Sequence, residues 1–112
     1  MSMYASYVRE RMGDEIVETE QGFATYRYLK DGGVDAVYII DIYVRTDFRK
    51  NNVASNLADH IVESAKHKGC KRLIGTINPS AKNSTDSLRV LLGYGMELYW
   101  CSQDIITFKK EI

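Results

Sequence analysis

The strongest constraint in this sequence is the passage over residues 34–77. It opens with a nearly unbroken apolar run, Val37-Tyr38-Ile39-Ile40 and then Ile42-Tyr43-Val44, interrupted by Asp41. Such a run reads as a central strand covered on both faces. Residues 45–52 are polar and show no period, so they form a loop. Val53, Leu57, Ile61 and Ala65 then recur at helical steps, flanked by Ala54, Ala58 and Val62, which is the stripe of an amphipathic helix. Gly69 suits the helix C-cap, and Lys66 and Lys68 suit the negative end of its dipole. Residues 71–77 are a strand again, broken by Asn78-Pro79-Ser80. Strand, helix and strand in this order make a right-handed parallel crossover.

The flanks add antiparallel structure. Residues 3–13 place Met3, Tyr7, Val8 and Met12 on one side of a short helix that Gly13 closes. Residues 15–20 and 23–29 read as strands, with Gln21-Gly22 between them. Asp31-Gly32-Gly33 is a tight hairpin turn, so the first three strands should be antiparallel. Residues 83–92 form a further helix with Leu88, Leu91 and Leu92 as its apolar face, ended by Gly93-Tyr94-Gly95. Residues 96–101 and 105–109 are the last strands. The expected fold class is α/β in the mixed α+β sense: one mixed sheet of about six strands with three helices packed on it.

Bulk properties narrow the function. The 112 residues read as one domain, 1–112, and 45% hydrophobic with 27% charged residues suits a compact core. Fifteen basic and fifteen acidic residues cancel to a net charge of zero, so no nucleic-acid partner is expected. No apolar run resembles a signal core or a membrane span, so no membrane partner is expected either. Cys70 and Cys101 form no CxxC pair, and His60 and His67 lack ligand spacing, so no metal site is expected. Two unpaired thiols fit a reducing, cytoplasmic setting. Cys101, on a late strand, is expected to be buried. A homodimer is compatible with the sequence.

Chemistry concentrates where the long strand runs into the clearest helix. The first N–H groups of a helix have no internal partner, and with the helix dipole they favour an anion such as pyrophosphate. Here the junction reads Arg49-Lys50-Asn51-Asn52-Val53-Ala54. Asn52 tolerates a left-handed backbone better than any residue but Gly, the conformation that turns successive amides inward as a nest. The bland reading is a solvated turn with Asn52 as N-cap.

The longer stretch Val44-Arg45-Thr46-Asp47-Phe48-Arg49-Lys50-Asn51-Asn52-Val53-Ala54-Ser55-Asn56-Leu57 resembles the signature of the GNAT acetyltransferases. That signature is a strand ending in Val, an aromatic residue, and Arg/Gln-x-x-Gly-x-Gly/Ala opening a helix. Val44, Phe48, Arg49, Ala54 and Leu57 fall in register, while Asn52 stands where the family usually has Gly. Asn78, the helix from about Asn83, and Leu92-Gly93-Tyr94 resemble the family's downstream strand, helix and closing Leu-Gly-Phe/Tyr. The likeness covers roughly residues 14–109. One short helix stands where the family has a first strand and two helices, so the chain looks like a minimal member.

The resemblance implies a GNAT-like acyl-CoA N-acyltransferase fold, with acetyl-CoA as co-substrate and a primary amine as acceptor. By position, the amides of Arg49, Lys50, Asn51, Asn52, Val53 and Ala54 would hold the pyrophosphate. The backbone of Ile42, Tyr43 and Val44 would pair with the pantetheine arm, and Asn78 and Asn83 would meet the lower part of the cofactor. The family's thiolate proton donor is often a Tyr about four residues before the Gly of Leu-Gly-Phe. Here that position holds Arg89. Tyr94 is near in sequence, and Asp41 is the one carboxylate well inside the long strand, with parity opposite to Ile42 and Val44. These three are the catalytic candidates. Asn78-Pro79 has a simple alternative in turn chemistry. Two rival functions remain open at this point. One is a silent GNAT-like fold that binds CoA or acts in regulation or interaction; the other is a small α/β scaffold without a CoA site.

Overall fold

A computed structural model describes residues 2–49, 52–81 and 84–112. Six strands form one sheet: β1 (Glu15–Glu18), β2 (Gly22–Asp31), β3 (Val34–Val44), β4 (Arg72–Ile77), β5 (Glu97–Cys101) and β6 (Ile106–Glu111), in the order β1-β2-β3-β4-β6-β5. The three helices are α1 (Met3–Tyr7), α2 (Val53–His67) and α3 (Ser84–Gly93). β3 and β4 are parallel, and all other neighbours are antiparallel. This is the mixed α+β sheet that the sequence predicts.

Turn chemistry sets the hairpins. Gly32 and Gly33 both take positive φ, at 60° and 84°, so two residues suffice to return β2 into β3. At the other end of α2, Gly69 takes φ 83° and donates to the Lys66 carbonyl, while Cys70 donates to Ala65, both at 3.0 Å. That pair of bonds is a Schellman cap, and it turns the chain towards β4.

The core lies on one face of the sheet. Val53, Leu57, Ala58, Ile61 and Ala65 of α2 pack on Ala24, Tyr26, Val37, Ile39, Leu73 and Phe108. Ile61, Val37 and Leu73 are completely buried. α3 covers the same face further along, with Leu88 and Leu91 packed against this cluster. Gly75 lets it approach: a Cβ there would lie 3.2 Å from Leu91 Cδ2.

The opposite face is covered by α1 and the wider π-type turn Val8–Met12 after it. Ala5 and Val8 are buried, and the Tyr4 ring meets Phe23 edge-on at 5.5 Å. The N-terminal segment therefore differs from its expected pattern. Regular α-helix stops at Tyr7, and Met3, Tyr7 and Met12 are exposed, because the small Ala5 and Val8 are the residues that fit against the sheet. β3 is not covered on both faces along its length either. α1 reaches only the β1–β2 side, which leaves Ile40 and Tyr43 at 37% and 44% exposure. Leu92, expected on the apolar face of α3, is exposed, as is Cys101 on the outer strand β5, while Cys70 is buried.

One irregularity shapes β3. Thr25 pairs with Asp41 but Tyr26 pairs with Ile39, so Ile40 has no partner on β2. This bulge shifts the alternation by one residue. Val37 and Ile39 face α2 before it, and Ile42 and Val44 pack on the same core after it. Beyond the bulge β2 and β3 approach closely at Gly22, where a Cβ would run into the Tyr43 carbonyl oxygen and lie 3.0 Å from Val44 Cα. Gly22→Ala should therefore lower stability by about 1–3 kcal/mol through overpacking. A thermal melt followed by circular dichroism checks this, and an unchanged midpoint would mean that the two backbones have room to part.

Candidate functional site

The parallel pair is short. β3 and β4 are joined from Ala36↔Arg72 to Ile39↔Gly75 and no further, although β3 runs on to Val44 and β4 to Ile77. Each strand keeps its outer partner to the end, Gly22↔Val44 on one side and Ile77↔Ile106 on the other. The sheet therefore splits into a V whose closed end is the Ile39–Gly75 rung. The inner edge of β3 from Ile40 onwards faces this gap without a strand partner, and peptide groups in that position require another source of hydrogen bonds.

The loop after β3 leads from the open end of the V to the start of α2. A 3₁₀ turn, Thr46–Phe48, carries Phe48 back onto the core. Arg45 lies over the Phe48 ring at 5.6 Å. Arg49 donates from Nε to the Val44 carbonyl at 3.1 Å and lies 6.0 Å above the Tyr43 ring. Asn52 precedes α2 with φ 60° and ψ 19°, the only non-Gly residue at positive φ among those described. Its side chain makes no capping bond, so the simple N-cap reading does not describe this turn. The first intrahelical bond runs from the Asn56 N–H to the Asn52 carbonyl at 3.0 Å. Among the described residues, none accepts from the N–H groups of Val53, Ala54 or Ser55. The Arg49 N–H, by contrast, is directed to the Thr46 carbonyl at 3.4 Å.

The structure brings Ile42, Tyr43, Val44, Asn52, Val53 and Ala54 together around the open end of the V. Lys50, Asn51 and Asn83 lie outside the described residues. Asn78 follows β4 at the opposite lip, but its Oδ1 accepts from the Ser80 N–H at 2.9 Å, which is turn chemistry. Asp41 is exposed beside the bulge, on the face away from Ile42 and Val44. Arg89 is exposed on α3. Tyr94 sits at the junction of the two long helices, where its hydroxyl donates to Asp59 Oδ1 at 2.7 Å. Burial and that carboxylate push its phenol well above the ordinary tyrosine value, so it keeps its proton. Lys110 caps the Tyr94 carbonyl at 2.9 Å from the other side.

Two features escaped the sequence reading. One is the bulge at Ile40, which no residue type announces. The other is a bond between the Tyr38 hydroxyl and Thr76 Oγ1 at 2.9 Å, which joins β3 to β4 beside the closed end of the V. Tyr38 read as one more apolar residue of a strand, and only the β3–β4 register gives it a partner. An open cleft of about 510 Å³ lies on the β1 side of α2 and reaches its first turn, lined by residues such as Val17, Glu18, Tyr26, Val53 and His60. Among the described residues, no three His, Cys, Asp or Glu side chains converge as metal ligands.

The fold that carries this site is shared with known proteins. The profile of the Acetyltransferase (GNAT) family matches residues 7–94. The chain belongs to that family. A putative GNAT acetyltransferase from Desulfovibrio desulfuricans superposes with a TM-score of 0.78 at 14% identity, over 95% of this chain and 76% of that one. PaiA N-acetyltransferase from Thermoplasma acidophilum, solved with coenzyme A, gives 0.74 at 11% identity over 94% and 66%. The NatC complex, solved with Gag peptide and CoA, gives 0.67 at 13% identity over 81% of this chain and 60% of the matched chain. This GNAT chain thus spans less than two thirds of the NatC chain it matches. No curated protein matches it by sequence.

The left-handed turn gives a direct test of the loop. A side chain with Cβ costs about 1–2 kcal/mol in this conformation, Asn less than others, and Gly nothing. Asn52→Ala should lower stability by about 1 kcal/mol while Asn52→Gly leaves it level or raises it, measured by urea unfolding. Equal midpoints for the two variants would show that the turn is not held left-handed.

Proposed function

We propose that this GNAT chain transfers an acetyl group from acetyl-CoA to a primary amine. The observation that carries the reading is the V itself: an unpaired β3 edge that runs to the N–H groups of Val53, Ala54 and Ser55, for which no described residue is an acceptor. A pantetheine arm is a chain of amides, and the edge beyond Ile40 offers it the peptide partners of a missing strand. The amides at the α2 N-terminus, together with the helix dipole, suit the pyrophosphate at the far end of that arm. From Val44 back to Ile40 the strand covers about 13 Å at its usual rise, a span suited to such an arm. Lys50 and Asn51, between Arg49 and Asn52 in sequence, belong to the proposed phosphate loop. Arg49 contributes by holding the Val44 carbonyl, and Asn78 by shaping the turn at the other lip.

In this reaction the neutral amine attacks the thioester carbonyl and the thiolate leaves. Holding the two reactants in register supplies much of the acceleration. The chain's two unpaired cysteines are in keeping with work in a reducing cytoplasm. The CoA complexes of PaiA and NatC support the choice of donor, since those proteins share this fold. A second reading, a CoA-binding protein without turnover, is favoured by one observation: neither Arg89 nor Tyr94 presents a free proton donor to the gap.

Calorimetry with CoA tests the binding step, and release of free thiol from acetyl-CoA with a panel of amines tests the chemistry. Heat and thiol release together are expected. Heat with no thiol release selects the second reading, and no heat at millimolar CoA removes both. Asn52→Asp places a carboxylate beside the pyrophosphate and should weaken CoA binding about tenfold or more, whereas Asn and Asp are nearly equivalent as helix caps.

A further inference from the structure

We infer that the Tyr38 hydroxyl, held by Thr76 at the closed end of the V, gives its proton to the departing thiolate. The inference rests on the acyl-transfer reading above and names the proton donor that this reading leaves open.

The position follows from the register. Tyr38 is paired with Ile74, and Thr76 is the first residue past the last rung, Ile39↔Gly75. The 2.9 Å bond between their hydroxyls therefore crosses the point where the strands diverge. Both side chains lie on the face away from the long helices, because their neighbours Val37, Ile39 and Ile77 belong to the core under α2 and Gly75 faces Leu91 of α3. An arm laid along β3 from Val44 comes to its end at Ile40, beside this rung. Its thioester would then lie next to the hydroxyl pair that bridges the two lips.

The surroundings suit a proton donor. Arg27 stands directly opposite Tyr38 in the β2–β3 register. It is fixed by Asp14, a buried residue whose Oδ1 lies 2.6 Å from Arg27 Nε. The pair places a tethered cation on the strand beside Tyr38. Thr76 Oγ1 can accept from the tyrosine O–H, and by rotating its own hydrogen it can donate to the phenolate instead. Thr76 is in turn backed by the buried Thr107 across β6. Tyr38 is half-buried, so the hydroxyl is sheltered and still within reach of a ligand in the gap.

The step balances without a further reactant. The amine lone pair forms the N–C bond as the C–S bond breaks, and the bonding electrons stay on sulfur. The Tyr38 O–H proton passes to that sulfur and gives free CoA thiol and a phenolate. The surplus proton on the new amide nitrogen then returns to the Tyr38 oxygen, so one amine hydrogen ends on sulfur and the enzyme is restored. Arg89 and Tyr94 are not required.

Tyr38→Phe and Thr76→Val test this, with spermidine, Nα-acetyl-lysine amide and a tripeptide with a free N-terminus as acceptors. Tyr38→Phe is expected to lower kcat about 100-fold, within the usual range for losing general acid–base help. Its KM for acetyl-CoA and its CoA affinity by calorimetry should stay within about threefold of the unaltered chain. Thr76→Val, which removes only the positioning bond, is expected to lower kcat about fivefold to tenfold with the same KM. If Tyr38→Phe keeps kcat within about threefold while CoA binding is intact, the inference falls and the acyl-transfer reading stands. Should Tyr38→Phe fail to fold, an unchanged kcat in Thr76→Val overturns it. An unaltered chain that binds CoA and turns over none of the three amines also overturns it, and an unaltered chain that binds no CoA removes the acyl-transfer reading itself.

Discussion

The site depends on one pairing that stops early. β3 and β4 share four residues of register and then separate, while each remains zipped to its outer neighbour. A parallel pair buried under helices would ordinarily continue to the strand ends, because every unpaired peptide group in the interior is costly. Here the bulge at Ile40 turns β3 away, and the loss of pairing falls on an edge that opens to the surface. The same bulge swaps the alternation, so Ile42 and Val44 stay on the core although the strand has changed direction. One extra residue thus opens the gap while Ile42 and Val44 keep their places against the core.

Packing decides which side of the gap does what. The face under α2 and α3 is filled beside the closed end of the V by Ile61, Leu73, Val37 and their neighbours. The other face carries Arg27, Tyr38 and Thr76 in a polar row, with Asp14 fixing the row at one end. It is also the face that the short α1 leaves open. The arrangement divides the V into an apolar floor that sets its shape and a polar surface where charge can develop.

The sequence carried the fold well because the fold rests on local signals. The four-step stripe of α2, the Gly32-Gly33 turn and the Gly69 cap each have a mechanism confined to a few residues, and each is found in place. The left-handed turn at Asn52 was readable for the same reason. What the sequence did not carry is relational. Nothing in Ile39-Ile40-Asp41 marks a bulge, since the extra residue exists only relative to β2. Tyr38 gains meaning only when Thr76, far along the chain, comes beside it. Tyr94 looked available for chemistry until Asp59 on another helix proved to be its partner. Of the stripe assigned to the N-terminal helix, Val8 is buried as expected, while Met3, Tyr7 and Met12 have the right period but the remaining space against the sheet suits Ala5.

That Tyr94–Asp59 contact bears on how anything enters. α2 rides on β2 and β3, and α3 rides on β4, so each helix moves with one lip of the V. The phenol at the end of α3 bonds the carboxylate of α2, and Lys110 of β6 grips the same tyrosine from behind. The two halves are clasped together above the split. Prising them apart sideways would break a short charge-assisted bond. Any widening of the gap therefore costs the loss of that bond as well as the packing beneath it.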